Sequence, residues 1–349
     1  MRSKKLRAGA LCLLLCLLLA FSACQGPLPQ TLDPQPAPQP PSADARPPAS
    51  YEPVLQPEHT DFLWEVLGGQ GRVYLMGTMH IVRDDYVLTP AILDILDEMD
   101  ALALEINMLD FQYLMSLGDL FVYPEGSTIL DHLSERGQAH LLNMIEVYGL
   151  DKQSVIISRP FGLSPLFLDA LLEDMPFNPM VGVDMLLNLH AWERDMPIYA
   201  LEDSREMLTN INNLPDDTLE RIDVLTIPPP EQLRQDFLDL YELFLSGDYE
   251  RVLAFLFPEE EEDEEPFLGG DGLPIEFTEA DARYSYYMLE HRDRIMADSV
   301  ISYLESGENV FVAAGLAHFV GEGSIIALLE EAGYTVVRVD LSQGQGVAI

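Results

Sequence analysis

Val73-Tyr74-Leu75-Met76-Gly77-Thr78-Met79-His80 is an apolar run that meets a glycine and delivers a histidine three residues later. The pattern returns in Asn309-Val310-Phe311-Val312-Ala313-Ala314-Gly315-Leu316-Ala317-His318. Each run reads as a buried strand of an α/β fold, with apolar side chains on both faces. In open α/β sheets the carboxyl ends of strands are where ligands bind, because side chains converge there on a crevice. Both histidines are therefore expected at one site.

The flanking sequence supports that assignment. Phe62–Leu67 and Arg72–Met76, separated by Gly68-Gly69-Gln70-Gly71, read as a β-hairpin leading into His80. Thr89-Pro90 opens a helix through about Met99, with apolar Ile92, Ile95, Leu96 and Met99 at helical spacing. The run from Ala101 to Ile106 is a second strand carrying one carboxylate, Glu105. A glutamate among apolar neighbours is costly unless paired or metal-bound, although an edge strand facing water would also accommodate it. Pro197–Glu202 reads as a third strand ending in a carboxylate, and Glu202 could equally cap the helix that follows. Residues 108 to 180 look largely helical. The helix expected from Thr278 to about Glu305 carries Arg292 and Asp293, and the last strand is expected over Tyr334–Leu341. These elements make an α/β body: a mixed, largely parallel sheet built from two βαβ-type halves flanked by helices, with a mostly helical insertion.

A third Gly-x-x-His, Gly137-Gln138-Ala139-His140, lies inside a helical stretch with no strand before it. Composition alone gives about 0.5 such matches in the chain. Strand context separates the two informative copies from this one, so His140, like His132 and His190, reads as a core or helix-surface histidine.

The first 23 residues read as a targeting segment: Arg2, Lys4, Lys5 and Arg7 precede an apolar core, Leu11 to Leu19. Phe21-Ser22-Ala23-Cys24 resembles a bacterial lipobox, which would place a lipid on Cys24 and the body on the extracytoplasmic face of the membrane. An ordinary secretory peptide with an incidental cysteine is the alternative. Residues 24 to 57 form a Pro-rich linker of extended, semi-rigid character. The domain is expected over 58–341, with a tail over 342–349. Cys12, Cys16 and Cys24 are the three cysteines. A body without cysteine excludes disulfides, a Cys nucleophile and Cys metal sites. Loss of the four positive charges of the signal moves the formal charge from −40 to −44. That balance disfavours nucleic acid and tolerates a metal cation or a cationic peptide. The acidic run Glu259 to Glu265 lies in a loop, about 258–274, expected to be disordered and without EF-hand spacing.

These residues together resemble the TraB/GumN family, relatives of the Tiki metalloproteases and the pheromone-shutdown proteins. The resemblance spans roughly 62 to 341. It rests on Leu63-Trp64-Glu65-Val66, Tyr74 to His80, Glu105, Gly182-Val183-Asp184, Leu201-Glu202, and Arg292-Asp293 ahead of Gly315-Leu316-Ala317-His318-Phe319-Val320-Gly321. The family carries Arg-Asn where this chain has Arg292-Asp293. The resemblance implies metal-dependent peptide hydrolysis. His80, His318 and Glu105 would then form a three-ligand site with an open position for water, Glu202 a general base, and Arg292 an oxyanion or substrate-carboxylate partner. Oxygen and imidazole ligands suit Zn²⁺, Mn²⁺ or Co²⁺. Three alternatives stand beside it: a peptide-sequestering module, a metal-independent His/Glu hydrolase, and a purely structural role for both histidines.

Overall fold

The computed structural model describes residues 61–178, 181–257 and 266–341. The targeting segment with Cys24, the linker, the acidic run at 259–265 and the tail lie outside the described residues.

Six strands form one mixed sheet in the order β6-β4-β7-β2-β1-β8. Their ranges are β1 Leu63–Leu67, β2 Val73–Thr78, β4 Ala101–Leu104, β6 Ile198–Ala200, β7 Val310–Gly315 and β8 Thr335–Arg338. Short β3 (Val82–Arg83) and β5 (Phe177–Asn178) pair separately. β6, β4, β7 and β2 run parallel, and β1 is antiparallel to both β2 and β8. Every residue of β2, β4 and β7 is buried. Apolar side chains on both faces of these strands leave no room for solvent, and each fully buried Val or Leu contributes roughly 1.5–3 kcal/mol. The edge strands β6 and β8 are half-exposed, which suits their mixed sequences.

The two expected halves do not stand side by side. β7, which follows the helical insertion, is threaded between β2 and β4, and β8 crosses to the far side of β1. This makes the two histidine-bearing strands nearest neighbours, with Gly77 opposite Ala314 and Thr78 opposite Gly315. A hydrophobic pattern specifies that β2 and β7 are central; it does not specify which central strand they adjoin.

Helices cover the sheet. Pro90–Asp97 buries Ile92 and Leu96, Val183–Glu193 buries Val183, Leu187 and Ala191, and His291–Ser306 buries Met296, Ala297, Val300 and Leu304. The turn of the β1–β2 hairpin is tied to this last helix, with the N–H groups of Gln70 and Gly71 donating to Leu304 O at 2.7 and 3.0 Å. The long helix expected from Thr278 is interrupted. An α-helical turn at Asp281–Ser285 widens to a π-helical turn at Tyr286–Glu290 before α-helix resumes at His291. The helix begins at Asp281 rather than at Thr278, and Thr278 N donates to Asp281 Oδ2 at 2.6 Å just ahead of it. The helical insertion has two small cores of its own, one around Phe161, Leu208 and Tyr284 and one around Leu141, Leu163 and Phe167.

Residues 266–274, expected as part of a disordered loop, are docked. Arg136 Nε and Nη2 donate to Asp271 at 2.7 and 2.9 Å, and Gly270 N donates to Leu225 O at 2.8 Å. Composition suggested disorder because the acidic run dominates it; one bidentate Arg–Asp pair and main-chain bonds hold the part beyond that run. No helix among the described residues is long and apolar enough to cross a membrane.

Candidate active site

The site is built at the carboxyl ends of β2, β4, β6 and β7. His80 follows β2 by two residues, Glu105 is the first residue beyond β4, Glu202 lies two residues past β6, and His318 sits in a 3₁₀ turn, Leu316–Phe319, after β7. Arg292 and Asp293 open the helix that packs across these ends. All five residues flagged from sequence are brought together.

Glu105 is at the centre. Its Oε1 lies 3.7 Å from His80 Nε2, and its Oε2 lies 3.8 Å from His318 Nε2. Gly315 N donates to Oε1 at 2.5 Å, and Arg292 Nη2 donates to Oε2. Burial opposes the charge on Glu105, but Arg292, then His318 and His80, and the Gly315 N–H outweigh it and hold the carboxyl well below the usual range. Arg292 also reaches Glu202, Nε to Oε1 at 2.7 Å and Nε to Oε2 at 3.0 Å. Its Nη1 donates to Met288 O at 3.2 Å, inside the π-helical turn. Burial acts against the guanidinium, yet Glu202 and Glu105 raise its pKa above the ordinary value, so it stays charged.

These bonds bear on two expected roles. Both oxygens of Glu202, the expected general base, accept from Arg292. The helix after β6 is capped by Asp203, which accepts from Arg205 N at 3.0 Å. Arg292 in turn spends its donors on Glu202, Glu105 and Met288.

Two acids complete the site. Asp184 Oδ2 lies 3.0 Å from His80 Nδ1, and Asp293 Oδ1 lies 2.6 Å from His318 Nδ1. Asp184 occupies the first turn of the helix Val183–Glu193 and reaches His80 because the His80 loop lies directly on that turn. Val183 N donates to Met79 O at 3.0 Å, and a Cβ on Gly182 would stand 2.3 Å from His80 O. Only glycine permits that approach. Burial lowers the pKa of His80, but Asp184 and then Glu105 more than compensate, so it lies above the ordinary value. Burial pushes the Asp293 carboxyl up against the pull of His318. Asp184 and Asp293 had stood in the sequence only as part of a motif and as a departure at position 293. A carboxylate beside the flagged arginine was the available signal, and its pairing with His318 accounts for it.

The three histidines read from sequence as core or helix-surface residues are elsewhere. His140 is buried with Nε2 3.1 Å from Ile227 O, His132 stacks on Tyr123 and meets Asp216, and His190 pairs with Asp97.

Four carboxylates, Glu105, Glu202, Asp184 and Asp293, have buried side chains beside one guanidinium, so acids outnumber fixed cations there. Such an excess is expensive away from water and calls for cations. The polar atoms of the site converge around Gly315. A Cβ there would lie 3.3 Å from Glu105 Oε1, 3.5 Å from His80 Nε2 and 3.8 Å from His318 Cδ2. His80 Nε2 is buried there without a hydrogen-bond partner. Among the described residues no three His, Cys, Asp or Glu side chains already converge at ligand distance. The donor set, two imidazole nitrogens and a carboxylate with each Nδ1 held by an acid, is of the chemical kind that suits a divalent cation.

The family model for TraB/PrgY/gumN matches residues 62–338. The chain belongs to the TraB/PrgY/gumN family. The matched span takes in all six strands of the main sheet and every residue of the site. Neither curated proteins nor solved structures give a match.

Proposed function

We propose that this TraB/PrgY/gumN family protein is a metal-dependent hydrolase of peptide bonds, tethered through lipidated Cys24 to the extracytoplasmic face of a membrane. The observation that carries the hydrolytic reading is the convergence of His80 and His318 on the two oxygens of Glu105, Nε2 to oxygen at 3.7 and 3.8 Å. His80, His318 and Glu105 would hold the cation, and Zn²⁺, Mn²⁺ and Co²⁺ all suit the donors. A cation there supplies Lewis acidity toward a scissile carbonyl and a nucleophilic water at neutral pH.

The chain's own residues prepare that chemistry. Asp184 and Asp293 orient the two imidazoles through Nδ1, leaving both Nε2 atoms directed at Glu105. Arg292 keeps Glu105 ionised and in place, and Glu202 holds Arg292. The cluster of carboxylates around Glu105 favours cations and disfavours anionic substrates. The test is metal analysis of the purified protein, then cleavage of a peptide library with and without chelator. Bound metal with chelator-sensitive cleavage supports the reading; bound metal without cleavage supports a sequestering role.

A metal-independent hydrolase is the second reading, and the two Asp–His pairs favour it. An imidazole oriented by a carboxylate can act as a general base without any metal. Cleavage that persists in chelator would select this reading.

A further inference from the structure

The two imidazoles of the site are held in the same manner by acids from unrelated parts of the chain. Asp184 comes from the helical insertion, and Asp293 from the helix that precedes β7. The Asp293–His318 contact is the shorter of the two, 2.6 Å against 3.0 Å, and both of its residues are almost fully withdrawn from solvent, at 4% and 1% exposure. When the Asp293 carboxylate is ionised it can only accept, and the proton of this contact then resides on Nδ1. The lone pair is then on Nε2, the atom that stands 3.8 Å from Glu105 Oε2. An alternative acceptor of the same shape, an amide, would preserve that tautomer but would bring no charge.

We infer that Asp293 is a positioning residue with two separable effects: its acceptor oxygen fixes His318 in the tautomer that exposes a bare Nε2, and its charge strengthens the hold of the site on a divalent cation. The second effect rests on the metal-binding reading proposed above; the first does not. Packing alone would account for neither, because Asp and Asn have nearly the same volume.

The experiment compares wild-type protein, Asp293→Asn and Asp293→Ala, each with its melting temperature measured. Imidazole ¹⁵N shifts of His318 in the metal-free proteins report the tautomer. Competition with a chromophoric chelator reports the dissociation constant for Zn²⁺ and for Mn²⁺. Wild type and Asp293→Asn are expected to share the bare-Nε2 tautomer, and Asp293→Ala to lose it. Zn²⁺ affinity is expected to fall about tenfold in Asp293→Asn and about a hundredfold in Asp293→Ala, the range seen when groups behind a metal ligand are changed. Equal affinity in wild type and Asp293→Asn overturns the charge effect. A tautomer unchanged in Asp293→Ala overturns the positioning effect; if that variant fails to fold, a loss of the bare-Nε2 tautomer in Asp293→Asn overturns it instead. A wild-type protein that takes up no cation overturns the charge effect together with the metal-dependent reading, and the ¹⁵N shifts still decide the positioning effect independently.

Discussion

The guanidinium of Arg292 and the carboxylate of Glu105 meet where solvent scarcely reaches, with side-chain exposures of 2% and 8%. Removing one partner of such a contact leaves the other as an uncompensated buried charge. Arg292→Met is therefore expected to destabilise the fold by about 3–5 kcal/mol, because Glu105 and Glu202 both lose their counter-ion. Chemical denaturation of the variant checks this. Arg292→Lys should recover only part of the loss, since one ammonium cannot reproduce the forked contacts to two carboxylates.

Gly315→Ala crowds the point on which His80, Glu105 and His318 converge. Its backbone, near φ −51° and ψ 136°, is open to alanine, so the added methyl group is the main change. That methyl would stand 3.3 Å from Glu105 Oε1 and 3.5 Å from His80 Nε2. The expected outcome is loss of cation binding and of hydrolysis by more than about a hundredfold, with a stability change of about 1–3 kcal/mol from the tighter packing. Calorimetric titration with Zn²⁺ and thermal melting separate the two effects.

Asp223 sets a pH dependence of stability far from the site. It is 1% exposed, Tyr284 Oη donates to its Oδ1 at 2.6 Å, and Oδ2 is buried without a partner. Burial pushes its carboxyl up to about 7, against a weaker opposing effect of Tyr284. The folded state therefore binds this proton more tightly than the unfolded chain, whose Asp titrates near 3.9. Its contribution to stability is full below about pH 4, declines as pH rises to about 7 and is lost above that, by an amount on the order of a few kcal/mol. Asp223→Asn should flatten that part of the profile and be the more stable protein at pH 8, as denaturant titrations across pH 4–8 would show.

His140 is the control. It shares the Gly-x-x-His pattern but is a core side chain whose Nε2 faces Ile227 O at 3.1 Å, with its pKa lowered by burial. His140→Leu should cost about 1–3 kcal/mol by leaving that carbonyl unpaired, and leave the activity of the folded fraction unchanged. A peptide-cleavage assay normalised to folded protein distinguishes this from a third site histidine.

Much of this was legible in the sequence for identifiable reasons. Continuous apolar runs announced β2, β4 and β7, and a glycine followed by a histidine at the end of two such runs announced the site. Strand context alone told His80 and His318 from His140. The threading of β7 between β2 and β4 was not legible, because an apolar pattern carries burial but not neighbour identity. Asp184 and Asp293 were visible only as members of a motif and as a departure from one. An acid that acts by holding a histidine through Nδ1 declares itself only when the helix carrying it is placed. For the same reason the contact of Arg292 with both oxygens of Glu202 is not legible in the sequence.

The central claim is that His80 and His318 are cation ligands of a hydrolytic site. It is tested most directly by measuring metal content and peptide cleavage for the wild-type protein and the His80→Ala/His318→Ala double variant, with a chelator control. The account expects one divalent cation per wild-type chain, chelator-sensitive cleavage, and loss of both in a double variant that still melts cooperatively. Cleavage that is equal in the two proteins and indifferent to chelator would contradict it.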